Sequence, residues 1–307
     1  MAERIEIIEV GPRDGLQDEE RVLSPEDRAD FVGQALAAGA ELVEAVSFVS
    51  AKRVPQMAEP EAVIALVGAA QRDRLTALVP NRRGFERALA SGLRHVRCVL
   101  AASDEMNRRN FGVPTEVTAA EVGAIAREHQ GEVTVGLVIG TAFGCPFEGE
   151  VPASRVLEIA AAAVDAGVGE VVLADTTGVA NPRLVEERCA ALVELEAPRL
   201  GAHFHNTRNT GYANALRAVD VGVRRFDASI GGIGGCPFAP GATGNVASED
   251  LAEMLASMGF ETGVDVDRLL ASSAWLRDRL GHDLPGQLLH AGRASSARPD
   301  LVKEGSR

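Results

Sequence analysis

Two kinds of segment alternate along this chain. Short apolar, β-branched runs recur at Ile5–Val10, Leu42–Phe48, Leu75–Pro80, Val96–Ala101, Val133–Ile139, Glu170–Ala174, Leu200–His205 and Arg225–Ile230. Between them lie longer stretches rich in Ala, Leu, Glu and Arg, with helical patterning. Ser24-Pro25-Glu26-Asp27 opens the first helix, with serine as N-cap and proline at the first helical position, and Ala38-Gly39 closes it. Pro60-Glu61, Pro152, Pro182 and Ser248-Glu249 mark further helix starts. A helix ending in glycine precedes the next strand at Ala38-Gly39, Ser91-Gly92, Ala166-Gly167 and Val221-Gly222. Strand–helix repetition of this kind predicts a parallel sheet with helical crossovers.

Eight such units in about 250 residues fit a closed α/β architecture, the (β/α)8 TIM barrel. A doubly wound open sheet is the alternative. Gly231–Gly235 lacks the GxGxxG spacing after a first strand that would support it. Beyond the eighth helix, Val266–Leu280 places Leu269, Leu270, Trp275 and Leu276 as an extra C-terminal helix would. Residues 1–285 are therefore expected to form one catalytic domain. Residues 286–307 are expected to be a polar, partly disordered tail that frays from about Gly292.

The 307 residues, 46% apolar and 24% charged, suffice for a sizeable core. The net charge of −13 argues against nucleic-acid or anionic-membrane partners, while leaving room for an anionic substrate in a local cationic pocket. Met1-Ala2-Glu3-Arg4-Ile5 shows no signal-peptide pattern, and no run reaches the apolar length of a membrane span. Cys98, Cys145, Cys189 and Cys236 are scattered with no CxxC, which predicts free thiols in the cytoplasm.

Candidate chemistry centres on His203-Phe204-His205. Strand side chains alternate faces, so both imidazoles share one face and offer two nitrogens to a divalent cation. Alone, the pair reads more often as two polar residues at a strand end. Its company changes that balance. Arg13-Asp14 follows the first strand, Glu44 lies on the second, Asp175 ends the sixth, and Gly231-Gly232-Ile233-Gly234-Gly235-Cys236-Pro237 follows the eighth and runs on to Asn245. A barrel gathers the C-terminal ends of its strands at one mouth.

Gly11-Pro12-Arg13-Asp14-Gly15-Leu16-Gln17, the His203/His205 pair and Gly234–Asn245 resemble 3-hydroxy-3-methylglutaryl-CoA lyases, metal-dependent barrel enzymes related to aldol-type acyl-CoA synthases. Ser47–Ser50, Val54–Met57, Val79–Asn81 and Gly144–Gly149 extend the resemblance over nearly the whole chain. It implies that Asp14, His203, His205 and Asn245 ligate the metal, that Arg13 faces the reacting carbonyl, and that Cys236 is the catalytic thiol on a mobile glycine loop. Glu44 and Asp175 would position these groups; salt bridging to Arg13 and direct proton transfer both stay open for them.

The implied reaction is retro-Claisen cleavage of a hydroxymethylglutaryl-CoA-like thioester to acetyl-CoA and acetoacetate. The mixed donor set favours Mg²⁺ or Mn²⁺ over a closed zinc site. The expected partners are an acyl-CoA thioester and further copies of the chain, as a dimer or higher homo-oligomer. Arg82-Arg83 and Asn107-Arg108-Arg109-Asn110 are either solvated loops or contacts for CoA phosphates and the substrate carboxylate. Cys98 and Cys189 read as inert core thiols, Cys145 as a loop residue without a task, and His95, His129, His282 and His290 as structural or exposed.

One departure from the pattern is Asn206, where such lyases carry aspartate after the second histidine. If that position shapes the acyl pocket, the substrate differs; if it supports the metal shell, the change is minor. A synthase on the same barrel is the competing activity. Leu16 in place of a glutamate, the Gly-Cys-Pro loop and no long C-terminal regulatory region favour the lyase. A non-enzymatic barrel would have no use for this constellation at one mouth.

Overall fold

A computed structural model describes residues 2–195, 197–235 and 244–293. Eight parallel strands close in sequence order: β1 (Glu6–Glu9), β2 (Val43–Ser47), β3 (Leu75–Val79), β4 (His95–Ala101), β5 (Thr134–Gly140), β6 (Glu170–Asp175), β7 (Leu200–Phe204) and β8 (Arg225–Ala228). The seam is the β1–β8 pairing, with Glu6 opposite Arg225 and Glu9 opposite Ala228. The TIM barrel expected from the strand–helix alternation is thus the fold, and each strand ends within one or two residues of its sequence-based bounds.

Local chemistry sets the helix ends. Ser24 Oγ accepts the Asp27 N–H at 3.1 Å, with Pro25 opening the first helix, Pro25–Ala37. The expected extra helix spans Val266–Leu280, capped by Asp265, and its Trp275 ring lies 6.0 Å from Phe31 of the first helix. The start of the assigned tail is tied to the barrel. Gly286 donates to the Gly231 carbonyl at 2.9 Å, the Gln287 and Leu288 amides donate to Asp250 at 2.8 and 2.7 Å, and a short helix covers Leu288–Ala291. Leu288 and Leu289 supply the apolar anchors that hold this segment to the core. The rest of the assigned tail, 294–307, lies outside the described residues.

Two features of the barrel position the site. After β1, residues Gly11–Gly15 form a π-helical turn in which the Val10 carbonyl accepts the N–H groups of Arg13, Asp14 and Gly15 at 3.1, 2.7 and 3.2 Å. This wide turn carries Arg13 and Asp14, both buried, into the barrel mouth. Below it, the barrel interior is polar rather than filled with branched apolar side chains. The even-numbered strands contribute Glu44, Arg97, Glu170, Arg225 and Asp227 to one connected ion-pair layer. In ordinary extended backbone on β5, Gly136 leaves the space this layer needs. A Cβ there would sit 2.7 Å from Glu170 Oε2 and 3.2 Å from Arg97 Cγ.

Candidate active site

Asp14, His203 and His205 converge from the π-helical turn and β7, each buried, with ligating atoms all within 4.8 Å of one another. The histidine rings lie 5.1 Å apart, as expected for strand neighbours sharing a face. Asn245 joins them across an antiparallel bridge to His205. Its Nδ2 donates to Asp14 Oδ2 at 2.8 Å and to the Ile233 carbonyl at 3.1 Å. Both partners are acceptors, which fixes the amide orientation and turns Oδ1 to the other side.

Among the described residues, His205 Nδ1 and Asn245 Oδ1 are buried with no hydrogen-bond partner. Orphaned buried lone pairs are costly unless a ligand takes them up. The surrounding charge also fits a cation. With His203 neutral, the connected ion pairs set three guanidiniums (Arg13, Arg97, Arg225) against five carboxylates (Glu6, Asp14, Glu44, Glu170, Asp227), two negative charges in excess. A divalent cation beside Asp14 balances that excess.

Asp14 and His205 are held in their ligating forms, whereas His203 is drawn toward its protonated one. Burial would raise the Asp14 carboxyl, but Arg13 and the two imidazoles reverse this and hold it well below its usual range. Burial and the neighbouring His203 push His205 down to about 4, so the ring is neutral near pH 7 and one of its nitrogens keeps a lone pair. Burial would also lower His203, but Asp227 and Asp14 raise it instead. The His203 Nδ1···Asp227 Oδ2 contact is 3.3 Å. In the neutral ring with Nδ1–H donated to Asp227, Nε2, 3.8 Å from Asp14, would carry the lone pair, and a cation there displaces the proton that the two carboxylates otherwise favour.

Arg13 is clamped by two carboxylates, through Nη1 on Asp14 Oδ1 at 2.6 Å and Nε on Glu44 Oε1. Nη2 is left without a protein partner among the described residues. Arg13, Asp14, His203, His205 and Asp227 line a cavity of ≈ 780 Å³. Val49, Leu78, Val99, Phe111 and Val138 supply apolar wall to the same cavity, and Arg53, Asn81 and Asn110 polar wall.

Of the residues singled out from sequence, Arg13, Asp14, His203, His205 and Asn245 meet at one point, with Glu44 paired to Arg13. Asp175 stands apart from Arg13. Its two oxygens accept the Val179 and Ala180 amides at 2.9 and 3.1 Å and so shape the turn after β6, while burial pushes it up to about 6. Cys236 lies outside the described residues; Gly235, just before it, lines the same cavity as Arg13 and His205.

Burial pushes the Cys98 and Cys189 thiols up to about 12, consistent with inert core residues. Asn206 belongs to the turn after β7: its Oδ1 accepts the Gly211 amide at 3.1 Å and its carbonyl the Asn209 amide at 2.9 Å. Sequence reading passed over Asp227, Arg97 and Glu170. Their signal was present as charges inside otherwise apolar strands, in Arg225-Phe226-Asp227-Ala228 and His95-Val96-Arg97-Cys98.

Residues 4–275 match the HMGL-like family. The chain belongs to that family. It is 47% identical to an (R)-citramalyl-CoA lyase of Chloroflexus aurantiacus, over 98% of both chains. It is 36% identical to a hydroxymethylglutaryl-CoA lyase of Bacillus subtilis, over 95% of this chain and 98% of the relative. Among solved structures, an HMG-CoA lyase of Acinetobacter baumannii in complex with coenzyme A and 3-methylmalate superposes with a TM-score of 0.91 at 38% identity, covering 96% of this chain and 97% of that one. The HMGL-like chain is therefore an acyl-CoA carbon–carbon lyase of a divalent-metal-dependent family, with a donor set that fits such a metal. Among its described residues, no helix is long and apolar enough to cross a membrane.

Proposed function

We propose that the chain cleaves short, branched 3-hydroxyacyl-CoA thioesters by a retro-Claisen reaction, with (R)-citramalyl-CoA as the first substrate and hydroxymethylglutaryl-CoA as the second. The observation that carries the reaction type is the convergence of Asp14, His203 and His205 with the orphaned Asn245 Oδ1, next to a guanidinium that keeps one nitrogen free. The order of substrates rests on the greater identity to the citramalyl-CoA lyase, 47% against 36% for the hydroxymethylglutaryl-CoA lyase. The two acyl groups differ by one methylene before the free carboxylate.

Asp14, His203, His205 and Asn245 would hold the metal. Two of the four donors are oxygens, which favours Mg²⁺ or Mn²⁺. When bound, the metal supplies a Lewis acid that lowers the pKa of the substrate hydroxyl. In the cleavage the hydroxyl proton is lost, the carbon–carbon bond to the thioester methylene breaks, and that methylene takes a proton to become the methyl of acetyl-CoA. The other product is pyruvate from citramalyl-CoA or acetoacetate from hydroxymethylglutaryl-CoA.

Arg13 stabilises the enolate oxygen. Two of its nitrogens are spent on holding it still, so the third needs no reorganisation as charge develops. Glu44 positions Arg13, and Asp175 positions the turn after β6. Cys236, whose glycine loop begins at the cavity wall, supplies the methyl proton. The apolar walls of the cavity take the pantetheine chain, and Arg53 meets the CoA phosphates; Arg82 is instead paired with Glu128.

The test is incubation of the purified protein and Mn²⁺ with (R)-citramalyl-CoA, its (S) isomer and hydroxymethylglutaryl-CoA. Acetyl-CoA with pyruvate is expected from the (R) isomer, suppressed by a chelator. No acetyl-CoA from any of the three would overturn the proposal. Release only from hydroxymethylglutaryl-CoA would reverse the substrate order.

A further inference from the structure

Arg97 reaches the middle of the barrel from β4, 1% exposed, and touches nothing outside the ion-pair layer that any site residue needs for ligation. Its contacts are nonetheless specific. Nε and Nη2 hold both oxygens of Glu170 at 2.9 and 2.8 Å, a fork-on-fork arrangement that fixes the guanidinium plane. Nη1 is shared between Asp227 Oδ1 at 2.9 Å and Glu44 Oε2 at 3.3 Å. The other oxygen of each of those carboxylates holds an active-site group: Asp227 Oδ2 meets His203 Nδ1 at 3.3 Å, and Glu44 Oε1 accepts Arg13 Nε.

We infer that Arg97 is a positioning residue that ties the metal-ligand half of the site to the oxyanion half through a single nitrogen. Without that nitrogen, Asp227 and Glu44 each keep a partner in the site but lose the anchor that fixes where that partner stands. Lysine cannot replace it, because one ammonium cannot grip Glu170 bidentately and bridge two further carboxylates. Gly136 supports the assignment independently. Its backbone is unremarkable, so the missing side chain serves space, and the space is filled by Arg97 and Glu170. Arg225 Nε also donates to Glu170 Oε1, at 2.6 Å, so the anchor is itself anchored.

The inference rests on the metal-dependent reading above, and the experiment separates the two. Arg97→Met alone adds a negative charge to the layer, which would favour cation binding for reasons unrelated to geometry. The charge-matched variant Arg97→Met/Glu170→Gln avoids this. Gly136→Ala is the second variant: it keeps every charge and pushes a methyl against the Arg97–Glu170 fork.

Mn²⁺ dissociation constants of the folded proteins are measured by equilibrium titration, with kcat and KM alongside. The expected result is Mn²⁺ affinity about tenfold weaker in Arg97→Met/Glu170→Gln, the range typical for partners that orient ligands, and a lowered kcat at similar KM. Gly136→Ala should weaken Mn²⁺ binding in the same direction. A merely structural residue would lower thermal stability and leave the Mn²⁺ constant of the folded protein within twofold of wild type; that result in both variants overturns the inference. If Arg97→Met/Glu170→Gln does not fold, Gly136→Ala decides. A wild-type protein that takes up no Mn²⁺ refutes the metal-dependent reading and this inference with it, whereas binding by the wild type and equally by the variants refutes the positioning role alone.

Discussion

Replacing Arg13 by lysine keeps the charge and removes the geometry, which makes it the sharpest test of the oxyanion assignment. Arg13 Nη1 holds Asp14 Oδ1 at 2.6 Å and Nε holds Glu44 Oε1, leaving Nη2 for the substrate. A lysine ammonium is one atom. If it sits between Asp14 and Glu44 it abandons the substrate, and if it reaches the substrate it leaves two buried carboxylates short of a partner. The loss is felt where enolate charge is greatest, and removing one such stabiliser costs about 3–4 kcal/mol, on the order of 10²–10³ in rate. Steady-state kinetics on citramalyl-CoA should therefore show kcat down by that factor with KM changed only a few-fold, since substrate and transition state differ mainly in the developing charge. Bound Mn²⁺ should be retained, because Arg13 is not a ligand. A variant with more than a tenth of wild-type kcat, or one defective only in KM, would show that Arg13 binds substrate without stabilising the transition state.

Three further predictions concern separate parts of the molecule. His203→Ala and His205→Ala should each lose bound metal and activity while the circular dichroism stays that of a folded barrel; wild-type metal content in either removes it from the ligand set. Burial alone would raise the Glu170 carboxyl, but Arg97 and Arg225 bring it down from 4.5 to about 2. The unfolded chain then takes up this proton at higher pH than the folded one. The resulting contribution, about 3 kcal/mol at neutral pH, is present in full above pH 4.5 and is lost as pH falls through about 2. Urea titrations across that window should show Glu170→Gln lacking this part of the acid-induced loss, and identical pH slopes for the two proteins would refute the coupling. Cys236→Ser should keep metal and fold but lose much of kcat, because a hydroxyl is a far weaker acid than a thiol; near wild-type turnover would pass the proton-donor role to another group.

Apolar runs, helix caps and glycine stops are local signals, and they sufficed for the barrel, the strand bounds and the helix Val266–Leu280. The histidine pair was legible for the same reason, since period-two alternation alone puts His203 and His205 on one face. Barrel closure then predicts that Arg13-Asp14 and the glycine loop share a mouth with them. What sequence left open was which charge meets which. Glu44 and Asp175 are both acids on or at the end of a strand, yet Glu44 faces the barrel interior and takes Arg13, whereas Asp175 turns to the backbone of its own loop. Asn206, read from sequence as a departure from the family pattern that could shape the acyl pocket or the metal shell, is engaged in the turn after β7. Asp227, Arg97 and Glu170 are separated by up to 130 positions and meet only because alternate strands of a closed barrel send side chains into one layer. Local pattern decides which face a strand residue shows. Partnership inside the barrel depends on which strands stand opposite and at what height, and those are set by closure and register, which no single segment carries.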